Sequence, residues 1–282
     1  MQLHTLLVAF CNLVKAAEGS DVHEFPPTTI ENFSQNPTRL EDDAENPQTT
    51  EISINLSTNG YVAYPGQFPY YAQLLIKNGV QSVTTISTGS LITPDHILTV
   101  AQGLRKPKTH GFAVLGNDDG SDTTMQQRIN FTQSGVRYHP EHDIATIRLD
   151  HSVTFTKFVQ PIRLPRLSDS RTYEMMEGIN VRGYTTTSRY IRNQIMSNDD
   201  CLKQHPQMDI SSYHICTNTY FGGAFCNRAY GSGLIVDGEK ERILIGITIL
   251  ASLCNVNYPI VYLRVSEFRD WISTNSDYVF DA

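Results

Sequence analysis

The feature that most constrains the fold of this 282-residue chain is a series of short apolar runs interrupted by turn-forming residues. From Gly60 onward each run has the length of one strand, and clusters of Gly, Pro, Asn and Asp separate the runs. The runs are Tyr70–Ile76, Ile97–Ala101, Ile144–Leu149, Ile179–Gly183, Ser232–Val236, Ile243–Leu250 and Val261–Val265. A helical period appears only at Glu267–Thr274, near the end of the chain. Many short strands over about 220 residues predict an all-β fold of two antiparallel barrels with a C-terminal helix.

Charge and hydrophobicity exclude several classes of protein. Hydrophobic residues make up 40% of the chain, which is ordinary for a globular domain and argues against disorder throughout. The formal net charge is −7, and sequence-independent nucleic-acid binding needs a basic surface instead. After the first twenty positions, no apolar run reaches the roughly 18 residues of a membrane-spanning helix.

The N-terminus has the pattern of a secretory signal peptide. An apolar stretch at Leu3–Val14 precedes the small residues Ala16, Ala17 and Gly19. The alternative is an ordinary buried N-terminal helix. We predict a signal peptide over residues 1–19 and therefore a secreted, extracellular protein.

Residues 20–56 differ in composition from the rest of the chain. They hold eight acidic residues and the single base Arg39, so this segment accounts for the whole net charge. Four prolines and many Thr, Asn and Gln residues predict an extended, disordered arm. The arm is either a solubilising linker or a segment that binds a partner or attracts calcium ions. Residues 57–282 are predicted to form one domain.

Cysteines and glycosylation motifs fit an extracellular protein. Cys11 lies in the predicted signal peptide, and four others remain, which is enough for two disulfides with three possible pairings. No C-x-x-C pair occurs, so we expect no structural zinc and no other metal or cofactor. Three Asn-x-Ser/Thr motifs make Asn32, Asn55 and Asn130 candidate glycan acceptors.

Six segments in order resemble the trypsin-like (chymotrypsin-fold) serine proteases. They are Ala63–Tyr70, Gly89–Ile92, Ile97–Ala101, His142–Leu149, Gln160–Pro165 and Pro259–Val265. The resemblance implies two six-stranded antiparallel barrels with a cleft between them. It also implies the disulfides Cys201–Cys216 and Cys226–Cys254. A third bridge of the family is missing at both ends, where this chain has Ser87 and Gly103.

The resemblance also locates the catalytic positions, which in the family hold Ser, His and Asp. Gln102 occupies the His position, and its amide cannot act as a general base. Asp143 occupies the Asp position, and Tyr230 occupies the nucleophile position. Ser232 follows two residues later, which displaces its hydroxyl by several ångströms.

Other functional positions of the family are also altered. Arg228 replaces the glycine whose N–H, with that of position 230, forms the oxyanion hole. Ala229 replaces the Asp that receives the new N-terminus after activation, and Asn55–Gly60 offers no Arg or Lys for that cleavage. The substrate-pocket positions are Ala224, Ile249, Leu250, Ala251 and Ile260, where a β-branched side chain at position 260 replaces glycine and is expected to fill the pocket.

These replacements predict a secreted, non-catalytic serine protease homologue. Such a protein would bind extracellular proteins as a decoy, cofactor or regulator of a proteolytic cascade, and its partners would be active proteases, their precursors or their inhibitors. One alternative is an enzyme, either a serine endopeptidase, as domain similarity alone suggests, or a rewired enzyme. The rewired enzyme would use His139, Glu141 and His142 as a base or as metal ligands. Another alternative is a structural secreted protein.

Overall fold

The computed structural model describes residues 60–78, 84–106, 109–116, 125–182, 188–220, 222–225, 230–239, 241–250 and 258–282. The predicted signal peptide and acidic arm lie outside the described residues. So do several predicted site positions, namely Asn32, Asn55, Cys226, Arg228, Ala229, Ala251 and Cys254. Leu250 is described by its backbone alone.

The described residues form fourteen strands, which alternate with turns and only a few short helices. The strands are β1 (Tyr61–Val62), β2 (Tyr71–Asn78), β3 (Thr84–Leu91), β4 (His96–Thr99), β5 (Thr109–Leu115), β6 (Gln127–Thr132), β7 (Val136–Tyr138), β8 (Ala145–Arg148), β9 (Glu177–Arg182), β10 (Arg189–Met196), β11 (His214–Thr217), β12 (Gly233–Asp237), β13 (Arg242–Leu250) and β14 (Ile260–Arg264). The α-helices are α1 (Asn198–Gln204) and α2 (Arg269–Asn275). Two 3-10 turns cover Gln133–Gly135 and Val265–Phe268.

The strands form two antiparallel sheets. The first has the order β6-β5-β2-β3-β4-β8-β7 and curls into a half-barrel. The second has the order β1-β10-β11-β14-β13-β12-β9, and an additional pairing of β9 with β10 closes six of its strands into a barrel. The prediction of an all-β fold with two antiparallel barrels is confirmed, with one barrel closed and the other curled.

Alternation of buried and exposed side chains explains why these segments are strands. In β2, Leu74 and Ile76 are fully buried, whereas Leu75 between them is partly exposed and Lys77 is exposed. Successive side chains of a strand point to opposite faces, so one face of the sheet lines the core and the other meets solvent.

The predicted C-terminal helix is present as α2, preceded by the 3-10 turn Val265–Phe268. Phe268 and Ile272 are buried in the main core, and Trp271 packs against it. Helix α1 has no counterpart in the sequence predictions because its apolar residues, Cys201 and Leu202, are adjacent and do not recur at helical spacing. It begins after Ser197, whose hydroxyl accepts a hydrogen bond from the backbone N–H of Asp200. None of the helices in the described ranges is long and apolar enough to cross a membrane.

Cys201 and Cys216 form a disulfide that ties α1 to β11, with 6.3 Å between their Cα atoms. Both residues are buried, and Ile210 and Val261 complete the small apolar cluster around the bridge. The cross-link fixes α1 against the closed barrel. The second implied pair, Cys226 and Cys254, remains a prediction.

Candidate functional site

The loops at the Gln102 and Asp143 positions lie side by side. Gln102 is exposed in the turn after β4, and the following Gly103 has a φ of +85°. Asp143 lies just before β8, and its backbone carbonyl accepts a hydrogen bond from the N–H of Ala101 at 3.3 Å. This backbone contact places Ala101, which precedes Gln102, against Asp143.

Tyr230 reaches this region from the other half of the molecule. Its backbone carbonyl accepts a hydrogen bond from the Thr88 hydroxyl at 2.8 Å and a longer one from the Ser87 hydroxyl at 3.4 Å. Its side chain is partly buried against the main core. The hydroxyls of Thr88 and Ser87 therefore hold the Tyr230 backbone beside the first sheet. The family resemblance places Ser87 at one end of the missing bridge.

A second group of contacts fixes the residue after Tyr230. Gly231 has a φ of +82°, and its N–H donates to the carbonyl of Thr248 at 2.9 Å. A Cβ at position 231 would lie 2.3 Å from the Thr88 carbonyl oxygen and 2.7 Å from the Thr99 hydroxyl. Only glycine fits this approach between the two sheets.

Ser232 is held in the interior and faces no cleft. Its exposed fraction is 0%, and its hydroxyl hydrogen-bonds to the Asn180 amide nitrogen at 2.9 Å and to the Thr248 hydroxyl at 3.0 Å. The same amide nitrogen donates to the carbonyl of Gly233. A hydroxyl enclosed in this network has no route to a peptide substrate, because attack requires the reacting atoms to meet at about 3 Å.

Comparison with known proteins identifies the family. The model of the trypsin family matches residues 57–272, which is more than half of the chain. This chain belongs to the trypsin family. It is 30% identical to a collagenase of Hypoderma lineatum over 238 residues, covering 79% of this chain and 88% of the collagenase. A solved structure of HL collagenase superposes with a TM-score of 0.68 at 28% identity and covers 79% of this chain and 99% of that chain.

Two further members of the trypsin family are similar over most of the chain. A CLIP domain-containing serine protease, B10, of Anopheles gambiae is 26% identical, covering 88% of this chain and 78% of that protein. Phenoloxidase-activating factor 1 of Holotrichia diomphalia is 23% identical, covering 89% of this chain and 77% of the factor.

The substrate-pocket positions of the trypsin family are packed in this chain. Ala224 and Ile260 are each only 2% exposed and belong to one apolar cluster with Phe225, Ile215 and Tyr262. Burial raises the pKa of the Tyr262 hydroxyl, which hydrogen-bonds to Thr217 at 3.3 Å. The side chain at position 260 is therefore enclosed by apolar neighbours.

Ile249, a further pocket position, is partly buried and packs against the cluster around the Cys201–Cys216 disulfide. Two surface clefts in the described part of the chain lie elsewhere. One is lined by Asp199, Leu202, Lys203 and Pro206, and the other by Met125–Gln127 and Thr156–Phe158.

The two histidines of the His139–His142 segment pack among aromatic rings. Their ring centroids lie 4.9 Å apart, and both rings contact Phe268, at 5.4 and 5.2 Å. The Nδ1 atom of His139 accepts hydrogen bonds from the N–H groups of Glu141 and His142. Within the described ranges, the structure gathers no group of three metal-binding side chains, so the metal alternative gains no support there.

Stability is expected to fall as the pH drops below about 6.5, the ordinary histidine pKa. Burial, and then the neighbouring His142, lower the pKa values of His139 and His214. A lowered native pKa means that the unfolded state binds more protons, so the stabilisation is complete above the unfolded-state pKa and is lost as the pH falls through the native value. Urea unfolding at about pH 7.5 and about pH 5.5 measures this loss.

A matched pair of variants isolates the contribution of His214. Its Nδ1 atom accepts the N–H of Ser211 at 3.1 Å, and His214→Asn keeps an acceptor there while removing the titration. The variant should show a shallower pH dependence, whereas the same substitution at the exposed His151 should leave it unchanged. If the free energy of unfolding depended equally on pH in the His214 variant and in the parent protein, His214 would not contribute to the pH dependence.

The sequence predictions missed three residues of this site, Thr88, Thr99 and Asn180. Thr88 holds the Tyr230 carbonyl, and the Thr99 hydroxyl holds the Thr88 carbonyl at 2.6 Å. Asn180 holds Ser232. Thr99 lies in the predicted family motif Ile97–Ala101, and Thr88 follows the position of a missing bridge cysteine.

Proposed function

We propose that this chain is a secreted, non-catalytic member of the trypsin family. It binds extracellular proteins and acts as a decoy, cofactor or regulator in a proteolytic cascade. Its partners are active proteases, their precursors or their inhibitors. The observation that carries the proposal is the set of side chains at the catalytic positions, which are Gln102, Asp143 and Tyr230.

The chemistry of these side chains opposes peptide hydrolysis. The amide of Gln102 cannot accept the proton that a nucleophile must lose, so Asp143 has no imidazole to orient. Ser232, the next serine in the chain after Tyr230, is buried and hydrogen-bonded to Asn180 and Thr248. Arg228, at the oxyanion position, removes a second source of rate enhancement.

The packed pocket supports the same proposal. Ile260 and Ala224, which the family resemblance assigns to the substrate pocket, are buried members of one apolar cluster. A trypsin-family enzyme without a base, a serine nucleophile and an open pocket lacks both chemistry and substrate binding. Retention of the two barrels then points to binding through loops, which a rigid scaffold positions.

The relatives support the cascade setting. One similar protein is a CLIP domain-containing serine protease, and another is a phenoloxidase-activating factor. From these two relatives we infer that this chain also acts outside the cell and in association with a protease cascade.

A fluorophosphonate probe is expected to leave the full chain unlabelled under conditions that label an active trypsin-family protease completely. The reason is that the probe forms a phosphonate ester, with loss of fluoride, only with a serine activated by a base. Intact-mass measurement after incubation checks this, and a panel of peptide and protein substrates should show no turnover above the buffer rate. Stoichiometric labelling that disappears in Ser232→Ala would instead establish Ser232 as a nucleophile and refute the proposal.

Partner capture tests the binding role. We expect cross-linking of the tagged full chain in its native extracellular fluid to retain a protease, a protease precursor or a protease inhibitor. A form that lacks residues 20–56 shows whether the acidic arm carries the contact. Failure of both forms to retain any of these three classes would contradict a cascade role and favour a structural one.

A further inference from the structure

The outer face of the first sheet carries a row of apolar side chains that the core does not use. In the register of the strands, Asn130 of β6 faces Phe112 of β5, Phe112 faces Leu75 of β2, and Leu75 faces Ile86 of β3. Directly paired residues share one face of a sheet. We call Asn130, Phe112, Leu75 and Ile86 the outer row.

Burial confirms that this row faces away from the core. Ile129 and Phe131 flank Asn130 and are buried, whereas Asn130 itself is exposed. Phe112 and Leu75 are partly exposed, and Ile86 is 57% exposed. Three adjacent apolar side chains therefore lie on the outer face of the sheet, and Ile86 is the most exposed of them.

Among the described residues, the side chains next to the outer row cover that row on one side. The Arg128 guanidinium lies over the Phe112 ring, 3.2 Å from its centroid. On the other border are the exposed polar side chains of Lys77, His110 and Thr132. Ile86, at the far end of the row, remains exposed.

The residue at the near end of the row is a candidate acceptor for an N-linked glycan. Asn130, Phe131 and Thr132 form an Asn-x-Thr motif, and the alternation of the strand places Asn130 and Thr132 on the same exposed face. Strand β6 is the first strand in the order of its sheet, and the Asp150 N–H donates to the Asn130 carbonyl at its edge, so a glycan would leave from the exposed outer face. No hydrogen bond among the described residues engages the Asn130 side-chain amide.

We propose that Asn130 carries an N-linked glycan whose first sugar rings cover the outer row. The row extends from Asn130 across three inter-strand spacings, which is about 14 Å. A short saccharide attached to Asn130 is long enough to follow it. Sugar rings present C–H faces that pack on aromatic and aliphatic side chains, here Phe112, Leu75 and Ile86. The proposal rests on the secretion that the proposed function assumes.

The attachment step uses a lipid-diphosphate-linked oligosaccharide as donor. The Asn130 Nδ2 atom forms a bond to the anomeric carbon of the sugar, and the bond between that carbon and the diphosphate oxygen breaks. The lipid diphosphate leaves with the electron pair of that bond, and the amide nitrogen loses one proton. No electron transfer to an outside oxidant or reductant is involved.

The first measurement locates the glycan. Protein secreted from eukaryotic cells is treated with peptide N-glycosidase in heavy-oxygen water, which converts a glycosylated Asn to a heavy-labelled Asp. We expect the label at Asn130 in the secreted protein, retention of the glycan in Thr132→Ser, and its loss in Thr132→Ala and Asn130→Gln. A secreted protein with unmodified Asn130 overturns the inference, whereas a protein retained in the cell contradicts the secretion on which it rests.

The second measurement tests the covering of the row. Native deglycosylation of the folded protein is expected to increase the binding of an apolar dye several-fold without unfolding it. Ile86→Thr should reduce that increase, because it removes the most exposed apolar side chain of the row. A modified Asn130 whose deglycosylation leaves dye binding unchanged would overturn the covering role.

Discussion

Gly231→Ala is expected to lower the free energy of unfolding by about 4 kcal/mol, the sum of a left-handed backbone penalty and a steric clash in a packed interior. Gly231 has a φ of +82°, and the added Cβ would lie 2.3 Å from the backbone oxygen of Thr88. Backbone on the opposite sheet cannot move aside as a flexible side chain could. Urea unfolding of the variant beside the parent protein measures the difference.

Gly103→Ala is the matched control for this substitution. Gly103 has a similar φ of +85°, but the nearest atom to a Cβ there is a Thr85 methyl carbon at 3.9 Å. Only the backbone penalty applies at position 103, so we expect the free energy of unfolding to fall by about 1–2 kcal/mol. Equal losses at positions 231 and 103 would show that the close approach of Thr88 to Gly231 contributes nothing.

The second large effect is expected at the packed pocket. Ile260→Ala should cost about 3–4 kcal/mol, because it removes a buried side chain and leaves a cavity. Ile260 is 2% exposed and packs with Ala224, Phe225 and Tyr262, so little rearrangement can fill the space. Thermal or urea unfolding measures the loss.

Ile260→Val provides the graded control, with an expected loss of about 1 kcal/mol for one buried methylene group. Val279→Ala, at a side chain that is exposed in the native protein, should cost less than about 0.5 kcal/mol. If Ile260→Ala left stability unchanged and a small aromatic amidine then bound to the variant, position 260 would line an open pocket and the packed-pocket interpretation would be wrong.

The all-β class, the paired barrels and the terminal helix were predictable from the sequence. The runs around β2, β4, β8 and β12–β14 are apolar enough to mark buried strands. The terminal helix has Phe268 and Ile272 four residues apart, which places them on one face. The six motifs in order then predicted the family, which the match over residues 57–272 confirms.

Strands β3, β5, β6, β7, β10 and β11 were missed for a physical reason, and β1 is too short for a run. Polar side chains interrupt the apolar ones in these strands, as in β6, where exposed Arg128, Asn130 and Thr132 alternate with buried Ile129 and Phe131. A search for continuous apolar runs overlooks this pattern. The short helix α1 was missed because its stability comes from the Ser197 cap and the disulfide rather than from a long periodic face.

Motifs in the sequence predict the catalytic positions, whereas the structure shows which residues surround them. The resemblance of the sequence motifs to the family assigns Gln102, Asp143 and Tyr230 to those positions. Whether Ser232 is buried depends on Asn180 and Thr248, which lie 52 and 16 residues away in the chain. The sequence sets these separations, but it does not reveal which distant polar groups meet.

The sequence by itself therefore determined the strand-rich class, the family and the chemical groups at the catalytic positions, because periodicity and residue type are local properties. Only the tertiary structure decided that Thr88 holds Tyr230 across 142 residues, that Ile260 is buried with Phe225 and Tyr262, and that Asn130 begins the outer row. These features depend on strand register and on the packing of one sheet against the other, which bring together residues far apart in the chain.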